Sequence, residues 1–179
     1  LKVESHAPVR SRLGGLGAEA LGRVLETNHI FDDGGRGLLA SGQGLRVRAC
    51  RDERGELVRA TVTYKGPREP GELKRREEIE MAVDDPAAAV LLLERLGFVE
   101  AVRFEKRRET WRLGACLVEL DEVPHLGTFV EIEGPDEERI EQARLALGLA
   151  DAPLVNGSYV RLLVRYCEEQ GLGAGVIAF

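Results

Sequence analysis

Apolar and polar residues alternate with a period of two through most of the middle of the chain. Leu45 and Val47 alternate with Arg46 and Arg48, Val62 and Tyr64 with Thr61, Thr63 and Lys65, and Glu77 and Ile79 with Arg76, Glu78 and Glu80. Successive strand residues point to opposite faces, so each run predicts a β-strand with one charged side. Arg23 to Phe31 and Phe98 to Arg112 have a similar extended composition, and Leu1 to Glu4 reads as the end of a further strand. Asp52-Glu53-Arg54-Gly55 and Gly66-Pro67-Arg68-Glu69-Pro70-Gly71 supply turns. Leu117 to Glu133 predicts a hairpin in which Val118, Leu120, Val130 and Ile132 point one way and Glu119, Asp121, Glu131 and Glu133 the other, with the turn at Pro124 to Gly127.

Helical spacing appears in four places. Pro8 to Leu16 places Val9, Leu13 and Leu16 at helical intervals. Asp84-Asp85-Pro86 is an acidic cap with proline in the first turn, predicting a helix over Ala87 to Leu96 closed by Gly97, with Val90, Leu91, Leu93 and Leu96 against a sheet. Asp136-Glu137-Glu138 opens another, with Ile140, Ala143, Leu145 and Leu147 as its stripe up to Gly148. The last runs from Tyr159 to Gln170, with Ser158 as its cap and Leu162, Leu163 and Tyr166 buried, and residues 171–179 read as a loose tail. The glycines of Asp32-Asp33-Gly34-Gly35-Arg36-Gly37 and Ser41-Gly42-Gln43-Gly44 read as turns. A phosphate loop would end in Lys-Ser/Thr and lead into a helix, and neither is expected here.

Composition narrows the setting. A chain of 179 residues, 44% hydrophobic, buries a substantial core and is expected to form one domain over residues 1–179. The 31 acids outnumber the 25 bases, which excludes a net-basic nucleic-acid binder and leaves any anion site to local arrangement. With no apolar run able to span a bilayer and no signal segment, a cytoplasmic location without membrane partners is expected. Cys50, Cys116 and Cys167 are odd in number and far apart, as reduced packing cysteines are, and His6, His29 and His125 are too scattered for a zinc site.

Sorting the charges by face changes the picture. Arg46, Arg48, Lys65, Arg76, Lys106 and Arg108 form a basic set; Glu78, Glu80, Glu119, Asp121, Glu131 and Glu133 form an acidic one. An open antiparallel sheet would show such a face to water, where ion pairs contribute little. Solvent gives no reason to double the bases on some strands and the acids on others. A closed sheet lined by bases for phosphate oxygens and carboxylates for a divalent metal does give one.

These residues resemble, in order, the motifs of the tunnel-fold CYTH superfamily, which includes class IV adenylyl cyclases, thiamine triphosphatases and inorganic triphosphatases. Lys2 resembles the lysine of its Glu-x-Glu-x-Lys signature, whose glutamates would fall before Leu1. Arg46 and Arg48 match its Arg-x-Arg strand, and Lys65 in Thr63-Tyr64-Lys65-Gly66-Pro67 the next. Arg76, Glu78 and Glu80 match the following strand, Lys106 and Arg108 its Glu-Lys-x-Arg element, and Asp121, Glu131 and Glu133 its late acids.

The resemblance implies an α+β fold: a closed eight-stranded antiparallel β-barrel, the triphosphate tunnel, with helices packed outside. Lys2, Arg46, Arg48, Lys65, Arg76, Lys106 and Arg108 would bind substrate phosphates, Glu80, Asp121, Glu131 and Glu133 would hold Mg²⁺ or Mn²⁺, and Lys65, Glu78 and Glu131 are the candidate catalytic residues. The implied partner is a small triphosphate, namely ATP, inorganic triphosphate or thiamine triphosphate, acted on by a monomer or homodimer. Three readings stay open: adenylyl cyclase, triphosphatase, and a non-catalytic nucleotide- or polyphosphate-binding module.

Overall fold

The computed structural model describes residues 1–67, 76–155, 157–170 and 176–179. Residues 68–71 of an expected turn and 171–175 of the expected tail lie outside these. The elements in chain order are β1 (Lys2–Val3), α1 (Ala7–Gly15), β2 (Glu19–Asp32), α2 (Gly37–Ala40), β3 (Gly44–Arg51), β4 (Leu57–Lys65), β5 (Glu78–Ala82), α3 (Pro86–Arg95), β6 (Val99–Leu113), β7 (Cys116–Val123), β8 (Gly127–Glu133), α4 (Glu137–Ala146), α5 (Tyr159–Glu169) and β9 (Val176–Ile177). They fall into two compact units, one of residues 1–24 and 106–158, the other of residues 25–105 and 159–179.

In the first unit the strands run β1-β8-β7-β6, antiparallel throughout. The hairpin forms as its alternation predicts, and His125 takes the left-handed φ of 63° that its turn needs. Val118, Leu120 and Val130 are buried against Val9 and Leu13 of α1 and against Leu147 and Leu149, which follow α4. Asp136 caps α4 by accepting the Arg139 N–H at 2.8 Å. Gly148, at φ 65°, ends that helix where a Cβ would overlap the Arg12 guanidinium, which donates to the Leu147 carbonyl at 2.7 Å. Leu145, expected in the buried stripe, is 55% exposed instead, and Ala143 and Leu147 carry the contact.

The second unit orders its strands β2-β3-β4-β5, again antiparallel. Phe31, Val47 and Ala89 form its core, with Leu45, Val62, Val90 and Leu93 around them. Asp85 caps α3 by accepting the Ala87 and Ala88 N–H groups. Leu91 and Leu96, expected to face the sheet, point outward at 50% and 65% exposure, because a ten-residue helix set on Ala89 turns them away. A short helix, α2, follows the glycine-rich turn where none was expected. Its first N–H groups are taken by Asp32 and Asp33, which leaves no phosphate cradle. Val176–Ile177, placed in the expected loose tail, pairs in parallel with β6 and buries Ile177.

Hydrogen bonds among the described residues do not close the sheet. The architecture is an antiparallel sheet with helices, without the hydrogen-bonded closure expected of a barrel. Among the described residues no helix is long and apolar enough to cross a membrane.

Candidate functional site

Register assembles the acids of the first unit. Glu119 lies directly opposite Glu131, Asp121 opposite Phe129 and Glu133 opposite Leu117. On the other side of β7, Arg108 faces Asp121 and Thr110 faces Glu119. Paired residues share a face, so Lys106, Arg108, Glu119, Asp121, Glu131 and Glu133 all project from one side. Lys2 joins them opposite Phe129, with Nζ 5.9 Å from that ring's centroid.

Asp121 is fully buried and accepts from Lys106 Nζ at 3.1 Å and from Arg108 Nε and Nη2 at 2.7 and 2.6 Å. Burial would raise this carboxyl, but Arg108 and Lys106 outweigh it and hold it below its ordinary range. Arg108 Nη2 also donates to Glu131 Oε2 at 2.7 Å, and its Nη1 contacts Glu119 Oε2. Lys106 and Arg108, expected on substrate phosphates, are thus turned onto carboxylates.

Glu119, Glu131 and Glu133 each bring one ligand oxygen within 4.8 Å of the others. Burial pushes the Glu119 carboxyl up to about 7, with Asp121 and Glu133 adding repulsion against the attraction of Arg108. Among the described residues these three form a group that could hold a metal ion, one that includes Glu131 and Glu133 of the expected ligands and adds Glu119. Their chemistry suits Mg²⁺ or Mn²⁺: all donors are hard oxygens.

The second unit carries the other cluster, in rows across its strands. Asn28, Arg48 and Thr61 form one row, Arg46, Thr63 and Glu80 the next, and Gly44, Lys65 and Glu78 the third. These bases are not solvated: the Arg46 and Arg48 side chains are 15% and 13% exposed. Burial first, then repulsion from Arg48, lowers the Arg46 guanidinium to about 10. Arg48 is held by Glu26 at 3.1 Å and by Asn28 Oδ1 at 2.8 Å. Thr63 Oγ1 donates to Glu80 Oε2 at 2.8 Å, and Arg46 Nη2 lies 3.8 Å from that oxygen.

Lys65 Nζ donates to both Glu78 oxygens, at 2.8 and 2.9 Å, and Arg76 Nε reaches Oε1 at 3.1 Å. Burial lowers the Lys65 ammonium. Burial would raise Glu78, but Lys65 and Arg76 prevail and hold it low. Each basic residue expected in this unit is therefore on the charged face or next to it.

Glu26, Asn28, Thr61 and Thr63 belong to these clusters without having been singled out for them, and Glu119, placed in the acidic set by its face, was matched to no motif position. Counting outward from the hairpin turn pairs Glu119 with Glu131, so that signal was present. Asn28 and Thr61 lie in phase with the arginines but carry no charge to mark them. On the opposite face of the first unit, Glu109 accepts from Arg10, Arg23 and Trp111 Nε1.

A family model described as the CYTH domain matches residues 1–151. The chain belongs to the CYTH domain family. A Methanocaldococcus jannaschii protein, provisionally named an adenylate cyclase, is 27% identical to this CYTH chain over 171 residues, covering 90% of it and 94% of the relative. Among solved structures, a Vibrio parahaemolyticus protein, also provisionally named an adenylate cyclase, superposes with a TM-score of 0.76 at 22% identity over 91% of this chain and 94% of its own. A Hippeastrum protein, likewise provisionally named an adenylyl cyclase and described as having a dominant triphosphatase activity, does so with a TM-score of 0.57 at 22% identity, over 94% of this chain and 84% of its own. The two solved structures share this chain's fold, on which it builds the two clusters.

Proposed function

We propose that this CYTH chain is a divalent-metal-dependent enzyme acting on the triphosphate group of ATP, converting it to cyclic AMP and pyrophosphate. The observation that carries the reading is the set Glu119, Glu131 and Glu133, whose ligand oxygens converge within 4.8 Å as a hard-oxygen site, in a chain that also builds a buried basic face. The cyclase-named relative, aligned over nine-tenths of the chain, supports the choice of reaction.

Arg46 and Lys65 supply charge to phosphate oxygens, and desolvation strengthens each such contact. Arg76 and Glu78 hold Lys65 in place. Glu78, held low by these partners, is a poor proton acceptor and acts as a positioning residue. Glu119, Glu131 and Glu133 hold Mg²⁺ or Mn²⁺, which when bound polarises a phosphoryl group and offsets charge on the leaving oxygens. Arg108 holds Glu131 and Glu119 in their ligating orientation. In the cyclase reaction the ribose 3′-hydroxyl attacks the α-phosphate and pyrophosphate leaves.

A second reading, hydrolysis of ATP or of inorganic or thiamine triphosphate, is favoured by the activity described for the Hippeastrum neighbour, with which the chain shares its fold. The test is incubation with ATP and with inorganic triphosphate, each with Mg²⁺ or Mn²⁺. Cyclic AMP supports the cyclase and phosphate release the triphosphatase; binding without any product overturns both.

A further inference from the structure

The charged face of the second unit carries donors that its own ion pairs leave over. Asn28, Arg48 and Thr61 stand in one row on adjacent strands. Arg48 Nε donates to Asn28 Oδ1 at 2.8 Å. A guanidinium nitrogen can only donate, so this contact fixes the amide oxygen toward Arg48 and turns Nδ2 away. Asn28 is 0% exposed, and its Nδ2 has no hydrogen-bond partner among the described residues. Thr61, 4% exposed, has an Oγ1 in the same condition, and so is Arg46 Nε in the adjoining row.

Thr63 is the internal comparison. It lies two residues from Thr61 on the same face, and its Oγ1 accepts from Arg46 Nη2 at 3.2 Å and donates to Glu80 Oε2 at 2.8 Å. The fold therefore satisfies a buried hydroxyl on this strand where it has the partners to do so. Orphaned buried polar groups cost stability and are rare in native proteins. Two of these three groups can only donate, so what they lack is an acceptor.

We propose that Asn28 Nδ2 and Thr61 Oγ1 are substrate-binding donors to oxygens of a phosphate chain, one on each side of Arg48, with Arg46 Nε as the adjoining donor. The two flank Arg48 on the strands either side of it, about 10 Å apart at Cα by ordinary strand spacing, a span that successive oxygens of a phosphate chain bridge. Arg48 is already balanced by Glu26, which is 2% exposed. This row thus grips by direction, while Arg46 and Lys65 supply the charge. The inference rests on the triphosphate reading above and adds a neutral subsite to it.

The test is calorimetric titration of the full chain with inorganic triphosphate. Thr61→Val removes the hydroxyl at nearly constant shape. Its Kd should rise about tenfold or more, the loss expected for a hydrogen bond to a charged oxygen. Its ligand-free Tm should stay level or rise, because an orphaned group has gone, and Thr61→Ser should restore the wild-type Kd. Asn28→Asp, which keeps an oxygen for Arg48 and replaces the free donor with an acceptor, should also weaken binding. Wild-type affinity in Thr61→Val, a lowered ligand-free Tm in that variant, or weakening confined to ATP would overturn the inference. Lys65→Ala separates the two levels. If it weakens binding and Thr61→Val does not, this subsite alone is wrong; if the wild type does not bind inorganic triphosphate, the triphosphate reading falls and the subsite with it.

Discussion

Replacing Glu119 by Gln should stabilise the metal-free protein at pH 8 and leave it unchanged near pH 4.5. Burial lifts this carboxyl from its ordinary 4.5 to about 7. Between those values the folded chain keeps a proton that the unfolded chain has released, so stability falls as pH rises through the window and the full cost is present above 7. At about 1.4 kcal/mol per tenfold change in proton affinity, that cost approaches about 3 kcal/mol. Gln is shaped like the protonated acid and carries none of it, and Arg108 retains Asp121 and Glu131. For a chain of this size the variant should therefore melt roughly 5 to 10 °C above wild type at pH 8 in the presence of a chelator. Added Mn²⁺ should narrow the gap, because a cation at the three acids relieves the same charge in wild type. The assay is thermal unfolding of both proteins from pH 4.5 to 8.5, with and without Mn²⁺. A variant less stable than wild type at pH 8, or a difference that does not change with pH, would refute the reasoning.

Glu109→Gln should act in the opposite sense. Burial would raise this carboxyl, but Arg10, Trp111 and Arg23 together hold it low, so its stabilisation is present above the unfolded value and is lost as pH falls through the lower folded one. Arg10 and Arg23 are 40% and 55% exposed and regain water when freed, so the loss should be about 2 kcal/mol, less than for a fully buried pair, read as a lower urea midpoint at pH 7 and a gap that closes in acid. Glu133→Gln should weaken Mn²⁺ binding in a calorimetric titration by about tenfold, while Asp121→Asn should leave it within about threefold and instead lower stability by about 3 kcal/mol, because the buried Lys106 and Arg108 each lose a carboxylate partner. Glu131→Gln should reduce metal-dependent turnover more than triphosphate binding, and a matching loss in both would contradict its place as a ligand.

Period-two alternation was enough to place the bases and acids on common faces, because strand geometry ties parity to side. It also fixed the hairpin, whose turn residues set the register; the acidic cap before Pro86 located α3 within a residue, and Asp136, read as a first-turn acid, is the N-cap of α4. What parity cannot supply is proximity across strands that are distant in sequence. The motif match puts Asp121 among the expected metal ligands. Pairing β7 with β6 puts Arg108 opposite it and Lys106 within reach, and the carboxylate pairs with both. Glu119, which no motif claimed, comes beside Glu131 because the two are directly cross-strand. The outward Leu91, Leu96 and Leu145 mark a different limit, since in a ten-residue helix several apolar arcs are possible and the neighbouring sheet selects one. Asn28 and Thr61 mark a third. A neutral side chain on a charged face looks inert until its neighbours' hydrogen bonds are assigned, and only then does a missing partner become visible as a place for a ligand.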